Sequence, residues 1–322
     1  MKVETILADL RDKGILPAEQ ASLIEIYESK KPFSVHWELR SVLYLGMLLF
    51  TSGLGVIIYQ NIDTIGHQVI IGLIALLTAG CFAYAFRTRQ AFSWNEIESL
   101  NKLNDYALLL GCTSFLILEG YLQFQYHVFG TKYGLAVFVP TVVFFFCAYV
   151  FDHRGVLSMA ITGLASWLGL TIAPLSLLSG NDFADSRIVM TAIVLGVALI
   201  AVGWITFRKD FKGHFSFTYF FLGGNLSAIA SMVGLFNERW KIFYFVSVAA
   251  LSTFFIYYSR QKHALVFLLM GVIYGYIAVS YAAFKILPDE TLSLLGIPYF
   301  MLTSIGVILF LLNVKKILGS TK

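Results

Sequence analysis

Charged residues are scarce in this chain. Lysine, arginine, aspartate and glutamate make up only 13% of its 322 residues, whereas 58% are hydrophobic and the mean hydropathy is +0.77. So few polar side chains cannot cover the surface of a soluble globular protein of this length. The composition therefore excludes an ordinary soluble fold and predicts an all-α polytopic membrane protein, a bundle of transmembrane helices in a lipid bilayer.

Cysteine is rare as well, and its three copies fall where neither a disulfide nor a metal site is expected. Cys81, Cys112 and Cys147 all lie inside apolar runs, with no CxxC spacing and no neighbouring histidine. The six histidines lie in loops or at the ends of spans and never pair at the spacing of metal ligands. We therefore expect no metal, and we interpret the cysteines as small buried hydrophobic residues.

Motifs of the common enzyme chemistries are missing too. The chain contains no GxSxG, HExxH, P-loop or GxGxxG, so hydrolase, zinc protease and nucleotide-dependent activities have no support. We expect no catalytic residues, no cofactor and no enzymatic activity. The net charge of +4 is small, and most basic residues lie in short loops between apolar runs, where membrane topology explains them better than nucleic-acid binding.

Two long apolar runs near the start of the chain predict a transmembrane hairpin. They cover residues 41–60 and 66–86, and at 1.5 Å per residue each can cross the hydrocarbon core of a bilayer, roughly 30 Å thick. Arg40 precedes the first run and Arg87 follows the second, whereas the turn between them has no lysine or arginine. The positive-inside rule therefore predicts that both ends of the hairpin are cytoplasmic.

Further apolar runs bring the predicted number of spans to ten. They cover residues 105–122, 133–151, 156–178, 188–207, 216–236, 242–258, 264–284 and 297–314. With an even number of spans both termini are cytoplasmic, and eighteen of the 23 lysines and arginines then lie inside against five outside. A missed span would exchange the sides of every later loop, so this bias favours ten spans.

The predicted domains are therefore a polar N-terminal region, residues 1–40, a membrane domain, residues 41–316, and a short cytoplasmic tail, residues 317–322. Gly14 and Pro17 in the N-terminal region are placed as the end of one short helix and the start of another, which predicts a cytosolic helical hairpin. Two interpretations stay open for this hairpin. It is a docking module for a protein partner, or a lid that helps to orient the first span.

Small residues four positions apart predict the faces on which helices pack, because helices in a bilayer associate through close approach of their backbones. Such patterns occur in the second, seventh and ninth spans. They consist of Ala75, Ala79 and Ala83, of Gly223, Ser227 and Ser231, and of Gly271 and Gly275. We interpret them as packing inside the bundle, with a dimer interface as the alternative, so the oligomeric state stays open.

Glu119 is the ionisable residue placed most clearly inside a span. It lies 14 residues beyond Asp105, about 21 Å along the helix, and therefore in the outer part of the third span. A carboxylate in that setting suggests an ion or substrate path with a basic partner. The candidate partners on the same side are Lys132, Arg187, Lys241 and Lys285. Glu119 is then a proton-coupling or cation-binding group, or else a structural ion pair or an interfacial glutamate that reaches water.

Asn225 is the second candidate for ion or substrate binding. It lies near the middle of the seventh span beside Gly223 and Gly224. Transporters build polar sites at this depth on interrupted helices, which is the functional interpretation of Asn225. A hydrogen bond between two helices is the structural interpretation.

The order of the parts resembles a bacterial family. A short polar hairpin precedes a glycine-bearing first membrane hairpin, and the residues that carry the resemblance lie between positions 3 and 86. They are Leu10, Lys13, Gly14, Ile15, Glu19, Gln20 and Ala21, followed by Tyr59, Gln60 and Asn61 at the end of the first span. The chain is similar to the predicted membrane proteins grouped as domain of unknown function twenty-one fifty-seven. That resemblance implies an inner-membrane location and no particular activity.

Two classes of function follow from these observations. The first is a multi-pass inner-membrane protein with a structural, sensing or assembly role, whose cytosolic hairpin contacts a partner. The second is a secondary transporter or exporter of a small molecule, because ten spans with both termini inside are also typical of drug and metabolite exporters with two inverted halves. A polar central cavity that reaches Glu119 or Asn225 would favour the transporter, and a solid core with Glu119 paired to a basic residue would favour the first class.

Overall fold

The computed structural model describes residues 16–17, 20, 36–96, 102–130, 132–172, 185–237, 240–286 and 289–318. Most of the predicted N-terminal hairpin and the end of the fifth predicted span lie outside these residues. The described residues form helices and no strand. The helices are α1 (His36–Ile65), α2 (His67–Arg87), α3 (Lys102–Tyr126), α4 (Tyr133–Phe151), α5 (Arg154–Ile172), α6 (Ser186–Lys209), α7 (Ser216–Asn237), α8 (Lys241–Lys262), α9 (Leu265–Ile286) and α10 (Asp289–Ile317), with a 3-10 turn at Gly213–Phe215.

Apolar helices long enough to cross a membrane dominate this architecture. Among the described residues, eight helices, α2 to α9, meet that condition by length and composition. α1 and α10 contain shorter apolar stretches, Ser41–Ile57 and Gly296–Phe310. The prediction of an all-helical polytopic membrane bundle is thereby confirmed, while the membrane crossing of α1 and α10 stays a prediction.

The chain divides into two compact units, residues 1–57 and 58–322. In the first unit the described residues are mainly the N-terminal part of α1. In the second unit, helices that follow each other in the chain pack as pairs: α2 with α3, α4 with α5, α6 with α7, and α8 with α9. Short connections and apolar flanks favour such antiparallel hairpins. α10 is joined to α9 by hydrogen bonds, Ser280 to Tyr299 at 2.6 Å and Tyr276 to Thr303 at 3.1 Å.

α7 is the central helix of the second unit. It packs against α5, α6, α8 and α9, and 61% of its membrane-spanning window is buried, against 39% or less for every other span. Small residues make this possible on two faces. A side chain at Gly223 would place its Cβ 2.7 Å from Leu199 Cβ of α6, and one at Gly224 would collide with the Phe255 ring of α8. α6 and α8 therefore approach α7 so closely that only glycine fits at these two positions.

The predicted small-residue faces behave differently in the three spans. Ser227 and Ser231 of α7 are fully buried, and their hydroxyls bond to Ile193 O of α6 and Ser247 Oγ of α8 at 3.2 and 2.9 Å. In α9, Gly271 lies directly against α8, where an added Cβ would be 2.8 Å from Ser252 O. Gly275 has more room, since its Cβ would be 3.4 Å from Ser252 Oγ.

The alanine pattern of α2 does not mark its packed face. Ala79 and Ala83 are exposed, and Ala75 is half-buried. The residues that α2 buries are Ile70, Ile74, Thr78 and Ala85. The small residue of this contact belongs to the other helix, because a Cβ added at Gly111 of α3 would be 3.2 Å from Cys81 Cβ. Cys81 and Phe82 of α2 thus pack where Gly111 of α3 leaves space.

The α6–α7 crossing gives a direct test of this packing. We expect Gly196→Ala to lower the thermal unfolding temperature of the protein in detergent, because the new methyl group would collide with Ser227 and with the Gly223 carbonyl. Overpacking of this kind costs about 1–3 kcal/mol. The matched control is Gly80→Ala, where nothing lies within 4 Å of the new Cβ. Equal effects of the two changes would contradict the close crossing.

Candidate functional site

A buried lysine, Lys212, joins three connections at one end of the second unit. It lies between α6 and α7, and its side chain is 0% exposed. Its backbone N–H donates to Trp94 O at 2.8 Å, which ties it to the connection between α2 and α3. Its ammonium lies 2.9 Å from Asp152 Oδ1, in the connection between α4 and α5. We call this end of the unit, where the connections after α2, α4, α6 and α8 lie, the ionic end.

Asp152 is placed by the local backbone. It follows α4 in the left-handed conformation with φ 57°, a common way for a helix to end, and its carboxylate is 4% exposed. The same Oδ1 atom lies 2.6 Å from Nε2 of His214, whose side chain is 6% exposed. An ionised carboxylate only accepts hydrogen bonds, so Nε2 of His214 donates. Two basic side chains thus share one buried carboxylate oxygen.

Aromatic rings surround the Lys212 ammonium. Its nitrogen lies 5.2 Å from the centre of the Phe92 ring and 6.0 Å from that of Phe215. A ring face attracts a cation, and both rings exclude water from the charge. The ammonium makes no hydrogen bond of regular geometry to any described residue. Its charge is therefore held by the carboxylate and the ring faces.

His153, the neighbour of Asp152, begins the next helix. Its Nδ1 accepts the backbone N–H of Val156 at 3.1 Å, the role of a capping residue for α5. Burial lowers the pKa of His153, although the Asp105 and Asp152 carboxylates act in the opposite direction. The neutral ring that burial favours is the form that can accept this hydrogen bond.

A cavity of about 600 Å³ opens beside this cluster. His214 belongs to both, since it contacts Asp152 and lines the cavity. The lining combines charged residues of both signs with aromatic rings. It consists of Asn95, Glu96, Arg154, Phe207, Asp210, Gly213, His214, Ser216, Phe217, Tyr258, Lys262, Ala264 and Phe267. A polar ligand with an apolar part fits such a lining better than a purely apolar one.

The charged residues that line the cavity differ in whether they form an ion pair. Arg154 and Glu96 form an ion pair with each other. The Lys262 ammonium lies 4.2 Å from the centre of the Phe207 ring. Within the part of the chain that the structure describes, neither Asp210 nor Lys262 forms an ion pair.

Glu119 lies on α3, as predicted for the third span, and is 7% exposed. Neither of its carboxylate oxygens has a hydrogen-bond partner among the described residues. Ser114, on the same helix, is likewise buried without a described partner for its hydroxyl. An unpaired carboxylate in a membrane span is the kind of group that transporters use, and it is also costly to keep charged.

The predicted partners of Glu119 are not brought to it. Arg187 pairs with its own neighbour Asp185, at 3.0 Å. Lys241 donates to the Tyr281 hydroxyl at 2.9 Å. The other two, Lys132 and Lys285, are exposed. None of the four forms an ion pair with Glu119.

Asn225 forms a hydrogen bond between helices. The Tyr274 hydroxyl of α9 donates to its Oδ1 at 2.5 Å, and its own Nδ2 donates to Phe221 O at 2.8 Å. Both ends of the amide are therefore engaged, Oδ1 in a bond between α7 and α9 and Nδ2 in a bond within α7. The structure shows no hydrogen bond from Asn225 to Glu119.

Residues 8–157 match the family model described as Predicted membrane protein (DUF2157). The resemblance predicted from the N-terminal residues is confirmed. No curated protein and no solved structure matches the chain. The DUF2157 match includes Asp152, Arg154 and Glu119, whereas Lys212 and His214 lie beyond it. The ionic cluster therefore joins the DUF2157 region to the C-terminal half of the chain.

Sequence reasoning missed this cluster. Lys212 was counted among the inside charges that set the topology, and His214 among the histidines at span ends. Each is an ordinary loop residue by itself. The available signal was Asp152, a carboxylate placed directly after an apolar run, on a side of the membrane predicted to be rich in cations. Among the described residues, no group of three or more histidines, cysteines and carboxylates could hold a metal ion.

The buried ion pair predicts a large and specific loss of stability. Lys212→Met should lower the free energy of unfolding by about 3–5 kcal/mol, because it leaves the Asp152 carboxylate buried without its cation. Thermal or denaturant unfolding in detergent measures this. Lys209→Met is the matched control, since Lys209 is exposed at the end of α6, and its effect should be within about 0.5 kcal/mol.

A second change separates charge from packing. Adding Asp152→Asn to Lys212→Met removes the buried negative charge that no longer has the Lys212 ammonium beside it, so the double variant should be more stable than Lys212→Met alone. Equal stability of Lys212→Met and the Lys209→Met control would show that the ion pair contributes nothing.

Proposed function

We propose that this membrane protein belongs to the bacterial inner membrane, with both termini in the cytoplasm, and has a structural, sensing or assembly role rather than a catalytic one. The observation that carries the proposal is the ionic cluster of Asp152, Lys212 and His214. Its buried charges join the connections after α4 and α6, and the backbone N–H of Lys212 joins the connection after α2. Opening such a cluster would leave charges unpaired in a dry interior, which favours one fixed arrangement of the helix ends.

The distribution of basic residues supports the orientation. The ionic end, counted as the connections after α2, α4, α6 and α8 with the adjoining helix ends, carries nine lysines and arginines. They are Arg87, Arg89, Lys102, Arg154, Arg208, Lys209, Lys212, Arg260 and Lys262. The positive-inside rule assigns such an end to the cytoplasm. A protein partner at the N-terminal hairpin would then bind on the same side as the ionic end.

Labelling of introduced cysteines tests the orientation. With a membrane-impermeant maleimide, Lys132→Cys should react in intact spheroplasts, and Lys209→Cys only after the membrane has been opened. Both lysines are exposed. The wild type, with Cys81, Cys112 and Cys147, measures the background from native thiols. The reverse labelling pattern would contradict a cytoplasmic ionic end.

Glu119 favours one alternative, a secondary transporter or exporter of a small molecule. Its buried carboxylate, without a described partner, is available for a proton or a cation. The hydrogen bonds of Asn225 do not support a polar site in the middle of α7. The transporter therefore depends on Glu119 alone.

Glu119→Gln separates the two functions. Under the leading proposal, this variant keeps or raises the unfolding temperature, because it removes an unpaired buried charge, and it responds like the wild type to a library of small metabolites across pH. Asp185→Asn, in an ion pair with Arg187 that does not line the cavity, is the control. A metabolite that stabilises the wild type and the control, but not a folded Glu119→Gln, would establish the transporter instead.

A further inference from the structure

The cavity at the ionic end contains two charges of opposite sign that no described residue pairs. Asp210 ends α6 in the left-handed conformation, with φ 55°, and its side chain is exposed. Lys262 lies in the last turn of α8, with its ammonium over the Phe207 ring. Both line the same cavity. A ligand with one cationic and one anionic group can therefore pair with both Asp210 and Lys262.

Ligands with a single charge fit this cavity less well. An anion drawn to Lys262 would be repelled by Asp210, and a cation drawn to Asp210 would be repelled by Lys262. The other charges of the lining do not change this balance, because Arg154 and Glu96 neutralise each other. His214, which also lines the cavity, is held by Asp152. The cavity thus selects for a zwitterion.

The apolar part of the lining sets a second requirement. Phe207, Phe217 and Phe267 come from the ends of α6, α7 and α9, and the Phe217 side chain is 40% exposed. These helices are apolar enough to span a membrane, so their ends lie at the level of lipid headgroups. The volume of about 600 Å³ is in the range of small-molecule sites. An amphiphile at the membrane interface meets both requirements.

We propose that this cavity binds a zwitterionic headgroup in which an ammonium group is joined to a phosphate. The ammonium donates hydrogen bonds to the Asp210 carboxylate, and the Lys262 ammonium donates to the phosphate oxygens. The Phe207 and Phe217 rings contact the apolar part of the ligand, and the fully buried Phe267 packs behind them. The headgroup comes from a membrane lipid or from a soluble phosphoethanolamine compound, and the two sources share this chemistry.

The zwitterionic headgroup is the ligand that a sensing role would require, and the proposal of this site rests on the proposed function only for its biological meaning. Binding itself is measured on the purified full chain in detergent, where orientation does not matter. A wrong orientation in the labelling experiment would therefore leave this result unchanged, and absence of binding would leave the orientation unchanged.

The experiment compares three probes by titration followed through thermal unfolding. They are dihexanoyl phosphatidylethanolamine, dihexanoyl phosphatidylglycerol and phosphoethanolamine. We expect saturable binding of the phosphatidylethanolamine and at least tenfold weaker binding of the phosphatidylglycerol, which has the same chains and phosphate but no ammonium. Binding of phosphoethanolamine at equal affinity would identify a soluble ligand, and its failure to bind would identify a lipid.

Two variants test which charged residue binds the ammonium of the lipid and which binds its phosphate. Asp210→Asn should weaken the binding of phosphatidylethanolamine at least tenfold and leave that of phosphatidylglycerol unchanged or stronger. Asparagine tolerates the left-handed backbone at this position, so folding should be kept. Lys262→Gln should weaken the binding of both lipids. Lys209→Gln, whose lysine is exposed and does not line the cavity, should bind like the wild type.

Three results would overturn the proposal. One is equal affinity of the wild type for the two lipids, which would remove the role of the ammonium. Another is unchanged binding of phosphatidylethanolamine by a folded Asp210→Asn. The third is no saturable binding of any of the three probes.

Discussion

The contact on which the ionic end depends is the one between the Lys212 ammonium and the Asp152 carboxylate. A lysine cation without exposure to water is stable only where an anion and favourable dipoles replace its hydration. Here one carboxylate oxygen, at 2.9 Å, and two ring faces supply that replacement. Because these groups come from three separate connections, the charge stays satisfied only while the connections stay together.

Space between the helices is the second constraint, and α7 provides it. Its glycines and serines let α6 and α8 approach on two faces, and the polar groups within it are used for packing. Asn225 follows the same rule, since Tyr274 of α9 engages its carbonyl oxygen. A hydrogen bond inside a membrane bundle holds helices together where lipid would not compete for it.

These two constraints divide the molecule chemically. Charged residues, the cavity and the fixed connections gather at the ionic end, and the interior of the spans is tightly packed around α7. Glu119 stands apart as a buried carboxylate on α3. The DUF2157 match ends at residue 157, so Asp152 lies inside it. Lys212 and His214, which contact the Asp152 carboxylate, come from the other half of the chain.

Hydrophobic runs alone were sufficient to predict the helices, because a membrane span is a local property of about 20 consecutive apolar residues. Glu119 could be placed on the third span for the same reason. Which face of a helix packs was only partly predictable: the small residues of α7 mark it, whereas in α2 the space comes from Gly111 on its partner.

The cluster of Asp152, Lys212 and His214 was decided by the tertiary structure. Lys212 and His214 lie 60 and 62 residues beyond Asp152 along the chain, and each member looks like a solvated loop residue until the ends of α4 and α6 are brought together. The same is true of Asp210 and Lys262, which line one cavity from the ends of α6 and α8. Apolar length determines that a segment enters the membrane, but the pairing of charges depends on which helix ends become neighbours.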